Sequence, residues 1–165
     1  MLAGFIEASD DPEAFEWVKK TTSAAMGDPG IHIFSDLSQL TAGTSNAFFI
    51  NAINTCTACT LQMSRREGFG LTITEAMWKE RVVIARPSRG AELQITHGEN
   101  GYLADTPDAL AQHILETLFN RDIAQTLGRA ARESVRTNFL LPRYVRLNCQ
   151  CYHDALSKKS LAPRE

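Results

Sequence analysis

The stretch "RVVIAR", Arg81 to Arg86, carries an unbroken apolar centre between charged ends, the composition of a strand buried on both faces. Such a strand needs a helix layer above and below it. The surrounding sequence supplies them. "MLAGFIE", "IHIFSDL" and "TACTLQMS" are further short apolar runs bounded by polar or turn residues, and helical patterns separate them. Strands alternating with helices imply βαβ units, because parallel neighbours require crossovers. The expected fold class is α/β: a parallel sheet with helices on both faces, ending in C-terminal helices.

The helical segments carry their own start signals. "DDPEAFEWVKKTTSAAMG" places Asp11 as N-cap, Pro12 at the first helical position and Gly27 past the end, with Ala14, Phe15, Val18 and Ala25 on one face. "TSNAFFINAIN" fits a helix capped by Thr44 or Ser45, although its Phe, Ile and Asn content argues against one. Thr106 caps "PDALAQHILETLFN", with Leu110, Ile114 and Leu118 on a stripe; "RDIAQTLGRAARESVRTNF" repeats the pattern through Ile123, Leu127, Ala131 and Val135. A last helix starts near Pro142. "SKKSLAPRE" reads as a polar tail, giving one domain over 1–157 and a tail over 158–165.

With 165 residues, 44% apolar and 22% charged, the chain has enough material for one buried core. A net charge of -2 provides no general field to gather nucleic acid or anionic membrane, so neither is expected as a partner. No apolar run approaches the roughly 20 residues of a membrane span, and no signal peptide is evident, which makes the cytoplasm the expected compartment. There, disulfides between Cys56, Cys59, Cys149 and Cys151 are disfavoured. "CTAC" has the spacing of zinc knuckles and redox sites, but Cys59 leads into a strand, and Cys149 and Cys151 point to different helix faces. A zinc site would require the fold to unite both pairs; small buried apolar residues are the simpler reading. His32, His97, His113 and His153 show no ligand spacing. Neither a metal nor a cofactor is expected.

In a parallel sheet of this kind, ligands bind at the carboxyl ends of the strands. "SRREGFGLTITEAMW", Ser64 to Trp78, lies where one strand ends and the next helix begins. Gly68 and Gly70 permit positive φ and let a ligand approach the backbone. Thr72 opens "TITE", the Thr-x-x-Glu pattern of a capping box with Glu75, and Ile73, Ala76 and Met77 point inward. The free N–H groups of such a helix start suit a phosphate. Glu67, placed just before the turn, would repel an anion unless it met hydroxyls or cations, and a sugar supplies hydroxyls. A plain capped helix after a tight turn explains the same spacing equally well.

"EGFGLTITE", Glu67 to Glu75, resembles the E-x7-E motif of retaining glycosyltransferases of the GT-B fold, the large family that includes sucrose, glycogen and trehalose synthases. The resemblance continues through "EAMWKERVVIARPSRGAELQITHGENGYLAD" and, more weakly, to about Phe139. The wording is most similar to the glycosyl-transferring trehalose synthases and the trehalose phosphorylases. The resemblance implies a Rossmann-like nucleotide-sugar-binding domain, the C-terminal one of two, whose donor is UDP-glucose or ADP-glucose and whose product is an α-glucoside such as trehalose. Glu67 would be the catalytic carboxylate, meeting hydroxyls of the transferred glucose. Gly68, Phe69 and Gly70 would touch sugar and β-phosphate, Leu71 and Thr72 the diphosphate, and Glu75 the ribose. Transfer would proceed with retention, the leaving phosphate helping to deprotonate the acceptor, without an obligate protein nucleophile.

Against the family pattern, the sequence is expected to lack the first βα unit of this domain, with its diphosphate-clamping Arg and Lys, and the partner N-terminal domain. Such a chain would be inactive alone and would expose apolar surface open to self-association. The family's Gly-Gly turn appears as Arg89-Gly90, and the glycine ending the motif helix as Glu80. Arg65, Arg66, Arg86 and Arg89 cluster around the segment, either as replacement cations or, more simply, as solvated arginines. The rival readings are a phosphorylase acting on glucose 1-phosphate and a non-catalytic interaction module.

Overall fold

A computed structural model describes residues 1–3 and 12–160, and two compact units divide the chain between Ile50 and Asn51. The N-terminal unit holds β1 (Leu2–Ala3), α1 (Pro12–Ala24), β2 (Ile33–Phe34), a 3-10 turn (Leu37–Gln39) and the start of α2 (Asn46–Cys56). β1 and β2 pair in parallel, Leu2 opposite Ile33. Asp11 and the side chain of Ala14 lie outside the described residues. Phe15, expected on an inner face, is exposed. α2 is a helix despite its composition, and Ser45 is its cap: the Ser45 hydroxyl accepts from the Phe48 N–H at 3.2 Å. Phe49, one turn on, packs edge-to-face on Phe34 at 4.9 Å.

The C-terminal unit is built on β3 (Cys59–Gln62), β4 (Val82–Ala85) and β5 (Tyr102–Leu103), a parallel sheet in the order β3-β4-β5. α3 (Leu71–Trp78) crosses from β3 to β4, and α4 (Arg89–Gln94) from β4 to β5; α5 (Pro107–Phe119), α6 (Arg121–Asn138) and α7 (Leu141–Ser160) follow. Every residue of β4 is buried, as its unbroken apolar run predicts. Val83 and Ala85 face Ile73, Ala76 and Met77 of α3, Ala91 of α4, and Ala131 and Val135 of α6. Val82 and Ile84 face the other way, toward Leu127 and the α5 residues Leu110 and Ile114. The alternation of a strand thus puts α3 on one face of the sheet and α5 on the other, with α6 contributing residues to both cores. Of the α6 stripe, Leu127, Ala131 and Val135 are buried as expected and Ile123 is half-buried, whereas Leu118 of the α5 stripe is exposed.

Helix starts follow local chemistry. Thr106 caps α5 by accepting from the Ala109 N–H at 3.2 Å, and Asn120 caps α6 by accepting from Ile123 at 3.1 Å. α7 runs through Ser160, so the polar tail expected from residue 158 begins inside a helix. Among the described residues no helix is long and apolar enough to cross a membrane.

Candidate functional site

The segment after β3 climbs from the carboxyl end of the strand and turns into α3 through Gly70, whose φ of 85° lies in the left-handed region. A Cβ there would lie 3.0 Å from Cγ of Glu67 and 3.1 Å from Cδ1 of Ile73, so glycine satisfies both conformation and space. The helix begins two residues earlier than its capping-box pattern suggests, at Leu71, and Gly70 is the N-cap with no side chain to cap with. The Thr72–Glu75 capping box therefore does not form. Thr72 and Glu75 are exposed and make no side-chain hydrogen bond among the described residues. The first N–H to find a partner is that of Ile73, which donates to the Gly70 carbonyl at 3.0 Å. Those of Gly68, Phe69, Gly70, Leu71 and Thr72 have no acceptor among the described residues. The plain capped helix is thereby excluded: this end is left open, with its positive dipole end at the sheet edge.

The loop is held from behind by α4. Gln94, 3% exposed, donates through its amide nitrogen to the Phe69 carbonyl and at 3.2 Å to that of Gly90, while its amide oxygen accepts from the Thr74 hydroxyl. Asn100, also buried, donates to the Gln94 carbonyl at 3.1 Å. Gly90 donates its N–H to the Glu67 carbonyl at 3.0 Å, and a Cβ at Gly90 would fall 2.7 Å from the Phe69 oxygen. With these carbonyls turned inward to α4, the loop's N–H groups are the polar groups left over. The Phe69 ring also turns inward, edge-on to Phe139 with centroids 5.6 Å apart.

Glu67 is half-buried, and its Oε2 accepts from the Gln62 amide at 3.2 Å. It therefore stands beside the open N–H groups, whereas Glu75 projects from the second turn of α3. Arg65 and Arg66 follow β3, and Arg86 and Arg89 follow β4, so all four occupy the carboxyl edge of the sheet; none has an acidic partner among the described residues. The sequence reading missed Gln94 and Gln62, and took Gly90 as part of a turn without its contact with the loop. Gln94 had one legible signal: with Ala91 and Ile95 it occupies the buried face of α4, where a polar residue requires partners. The cysteines play no part here. Cys56, Cys149 and Cys151 are exposed, contrary to the expectation of small buried residues, and burial pushes the half-buried Cys59 thiol up, away from its reactive form.

The profile of the glycosyl transferases group 1 family matches residues 43–134, which spans the loop, α3, α4 and most of α6. The chain belongs to this family. It is 40% identical over 139 residues to a trehalose synthase of Rubrobacter xylanophilus, covering 84% of this chain and 32% of that protein. It is 42% identical over 77 residues to a trehalose phosphorylase of Grifola frondosa, covering 46% of this chain and 10% of that one. Its fold matches a sucrose-phosphate synthase of Thermosynechococcus elongatus with a TM-score of 0.69 at 25% identity, over 95% of this chain and 38% of that one. The chain spans about a third of the length of the trehalose synthases it matches.

Both departures of this group 1 domain from the family pattern are accommodated. At Arg89-Gly90 the position that presses on the loop keeps its glycine, and the arginine falls on the exposed neighbour. Glu80 adopts the left-handed conformation that a glycine would take, with φ of 59°. Its carboxylate meets Arg132 of α6 at 2.9 Å, and that guanidinium lies 4.9 Å over the Trp78 ring.

Proposed function

We propose that Glu67 to Glu75 forms one wall of a donor site for a nucleotide sugar in a retaining glycosyltransferase that makes an α-glucoside such as trehalose. The observation that carries this reading is the run of N–H groups from Gly68 to Thr72, unpartnered among the described residues, beside the half-buried Glu67. Backbone donors fixed in advance bind a diphosphate without reorganising, which favours the charge that develops on the leaving group. In this role Glu67 accepts hydrogen bonds from glucose hydroxyls, and Gly68, Phe69 and Gly70 line the sugar and the nearer phosphate. Leu71 and Thr72 present the helix end to the diphosphate. Glu75, free of any capping duty, accepts from the ribose hydroxyls. Arg65, Arg66, Arg86 and Arg89 add positive charge at the same sheet edge.

The similarity to a trehalose phosphorylase favours a second reading, in which the same wall receives glucose 1-phosphate. Calorimetric titration of the chain separates the two. Under the first, UDP, ADP or UDP-glucose binds, and Glu75→Ala weakens that binding about tenfold by removing hydrogen bonds to the ribose. Binding of glucose 1-phosphate, with no response to any nucleotide, moves the assignment to the phosphorylase. Absence of binding by all of them leaves an interaction module and sinks both.

A further inference from the structure

The edge of the sheet away from the glutamate segment holds a second feature. A cavity of about 560 Å³ opens where β3 and β4 begin, lined by Ala58 and Val82 at the strand starts, Glu80 and Arg81 after α3, and one face of α6. That face presents Arg121, Gln125 and Arg129 at successive helical turns. The strands are four residues long, so the cavity and the loop after β3 are separated by about 13 Å of strand.

The charges in this cavity are unbalanced. Arg81 is anchored by backbone carbonyls, its Nε donating to Lys79 at 3.0 Å and its Nη1 to Thr57 at 3.2 Å, and neither partner neutralises it. Arg121 and Arg129 make no hydrogen bond or ion pair among the described residues. The lining's carboxylate, Glu80, is engaged by Arg132. Arg121 also stands at the first position of α6, where the helix dipole disfavours a cation. Guanidinium groups drawn from two segments thus line one concavity without a counterion among the described residues, in an arrangement that serves neither helix stability nor core packing.

We propose that this cavity binds a phosphorylated sugar, its phosphate held by Arg81, Arg121 and Arg129. Guanidinium forks match phosphate oxygens, and each retains several N–H donors for the purpose. The volume falls within the range of small-molecule sites and exceeds what a bare phosphate fills. No aromatic side chain lines the cavity, so a nucleobase would find no stacking surface, whereas Gln125 and Glu80 can meet sugar hydroxyls. The ligand class is therefore a sugar phosphate rather than a nucleotide, and the site is separate from the proposed donor wall.

Titration of the chain with glucose 6-phosphate, inorganic phosphate and glucose, followed by calorimetry and thermal shift, tests the assignment. Glucose 6-phosphate should bind more tightly than phosphate, and glucose should not bind. The double variant Arg121→Gln/Arg129→Gln should lose glucose 6-phosphate affinity by about tenfold or more while keeping its melting temperature, because both side chains are exposed. No binding of glucose 6-phosphate at millimolar concentration, equal binding of inorganic phosphate, or binding unchanged in the double variant would each overturn it. Arg66→Gln, at the opposite edge, should leave the glucose 6-phosphate response intact; loss of that response would move the ligand to the other edge and also overturn the proposal.

Discussion

The two ends of α3 both turn on a residue in the left-handed region, Gly70 before the helix and Glu80 after it, yet the backbone beyond them is treated in opposite ways. At the C-terminal end the Arg81 N–H donates to the Ala76 carbonyl and the Glu80 N–H to that of Met77, both at 3.0 Å, the paired bonds of a Schellman motif. The Glu80 carbonyl is packed against α6 and its carboxylate is paired. At the N-terminal end, which has no side-chain cap, the N–H groups from Gly68 to Thr72 are left without acceptors among the described residues. One helix therefore has a sealed end and an open end. Two residues of the same conformation lead to different outcomes because of what lies behind them: α6 closes one end, while Gln94 holds the other in its open form.

The sealed end should be the more sensitive to added volume. In α6, a Cβ at Gly128 would lie 2.2 Å from the Glu80 carbonyl oxygen, a backbone atom that cannot swing away. Gly128→Ala should cost about 3 kcal/mol in chemical denaturation, despite the gain of about 1 kcal/mol in helix propensity. A variant as stable as the parent would mean that α3 and α6 can part freely, and that the end is not sealed by packing.

The open end should respond next, and in two observables at once. Gln94→Leu removes the donor that the Phe69 and Gly90 carbonyls share and should destabilise the chain by about 2 kcal/mol. Because the loop would then be free to turn its carbonyls outward, nucleotide affinity should fall with it. Gln94→Glu, which retains the shape but loses the donor, should affect binding in the same direction. Stability loss without any change in binding would break the link between Gln94 and the open N–H groups.

Glu67→Gln should have a smaller effect on stability, within about 0.5 kcal/mol, since the Gln62 amide can still find the remaining side-chain oxygen. UDP-glucose affinity should drop by about tenfold while UDP affinity is kept, because only the sugar meets this side chain in the proposed site. Equal losses for the two ligands would place Glu67 on the diphosphate instead.

How much of this was legible in the sequence depends on the range of the interaction involved. β4, α5 and α6 were readable because an unbroken apolar run, an N-cap followed by proline and a repeated stripe are written within a few residues. The segment from Glu67 to Glu75 was recognisable for the same reason. The Thr-x-x-Glu spacing misled because Gly70 caps the helix two residues before Thr72, which moves Thr72 from the cap into the first turn. Gln94 and Gly90 were hidden because their partners lie more than twenty residues earlier in the chain, at Phe69, and only the fold brings them together. The arginine cavity was hidden likewise, since Arg81 and Arg129 are neighbours only across the α3–α6 packing.

The smallest effect tests the sealed end from the opposite side. Glu80 pays for its φ of 59° with strain that a glycine would not feel, about 1 kcal/mol for an L-residue held there. Its compensation is the ion pair with Arg132, but both side chains are largely in water, at 41% and 49% exposure, where such a pair contributes a few tenths of a kcal/mol. The strain should therefore outweigh the pair. Glu80→Gly should raise stability by about 0.5 kcal/mol, seen as a small rise in Tm that does not fall when salt is added. Glu80→Ala, which loses the pair but keeps the strain, should be slightly less stable than the parent. If Glu80→Gly proves less stable than Glu80→Ala, the left-handed turn is not what limits this end, and the network of Glu80, Arg132 and Trp78 holds α3 to α6 more firmly than its exposure implies.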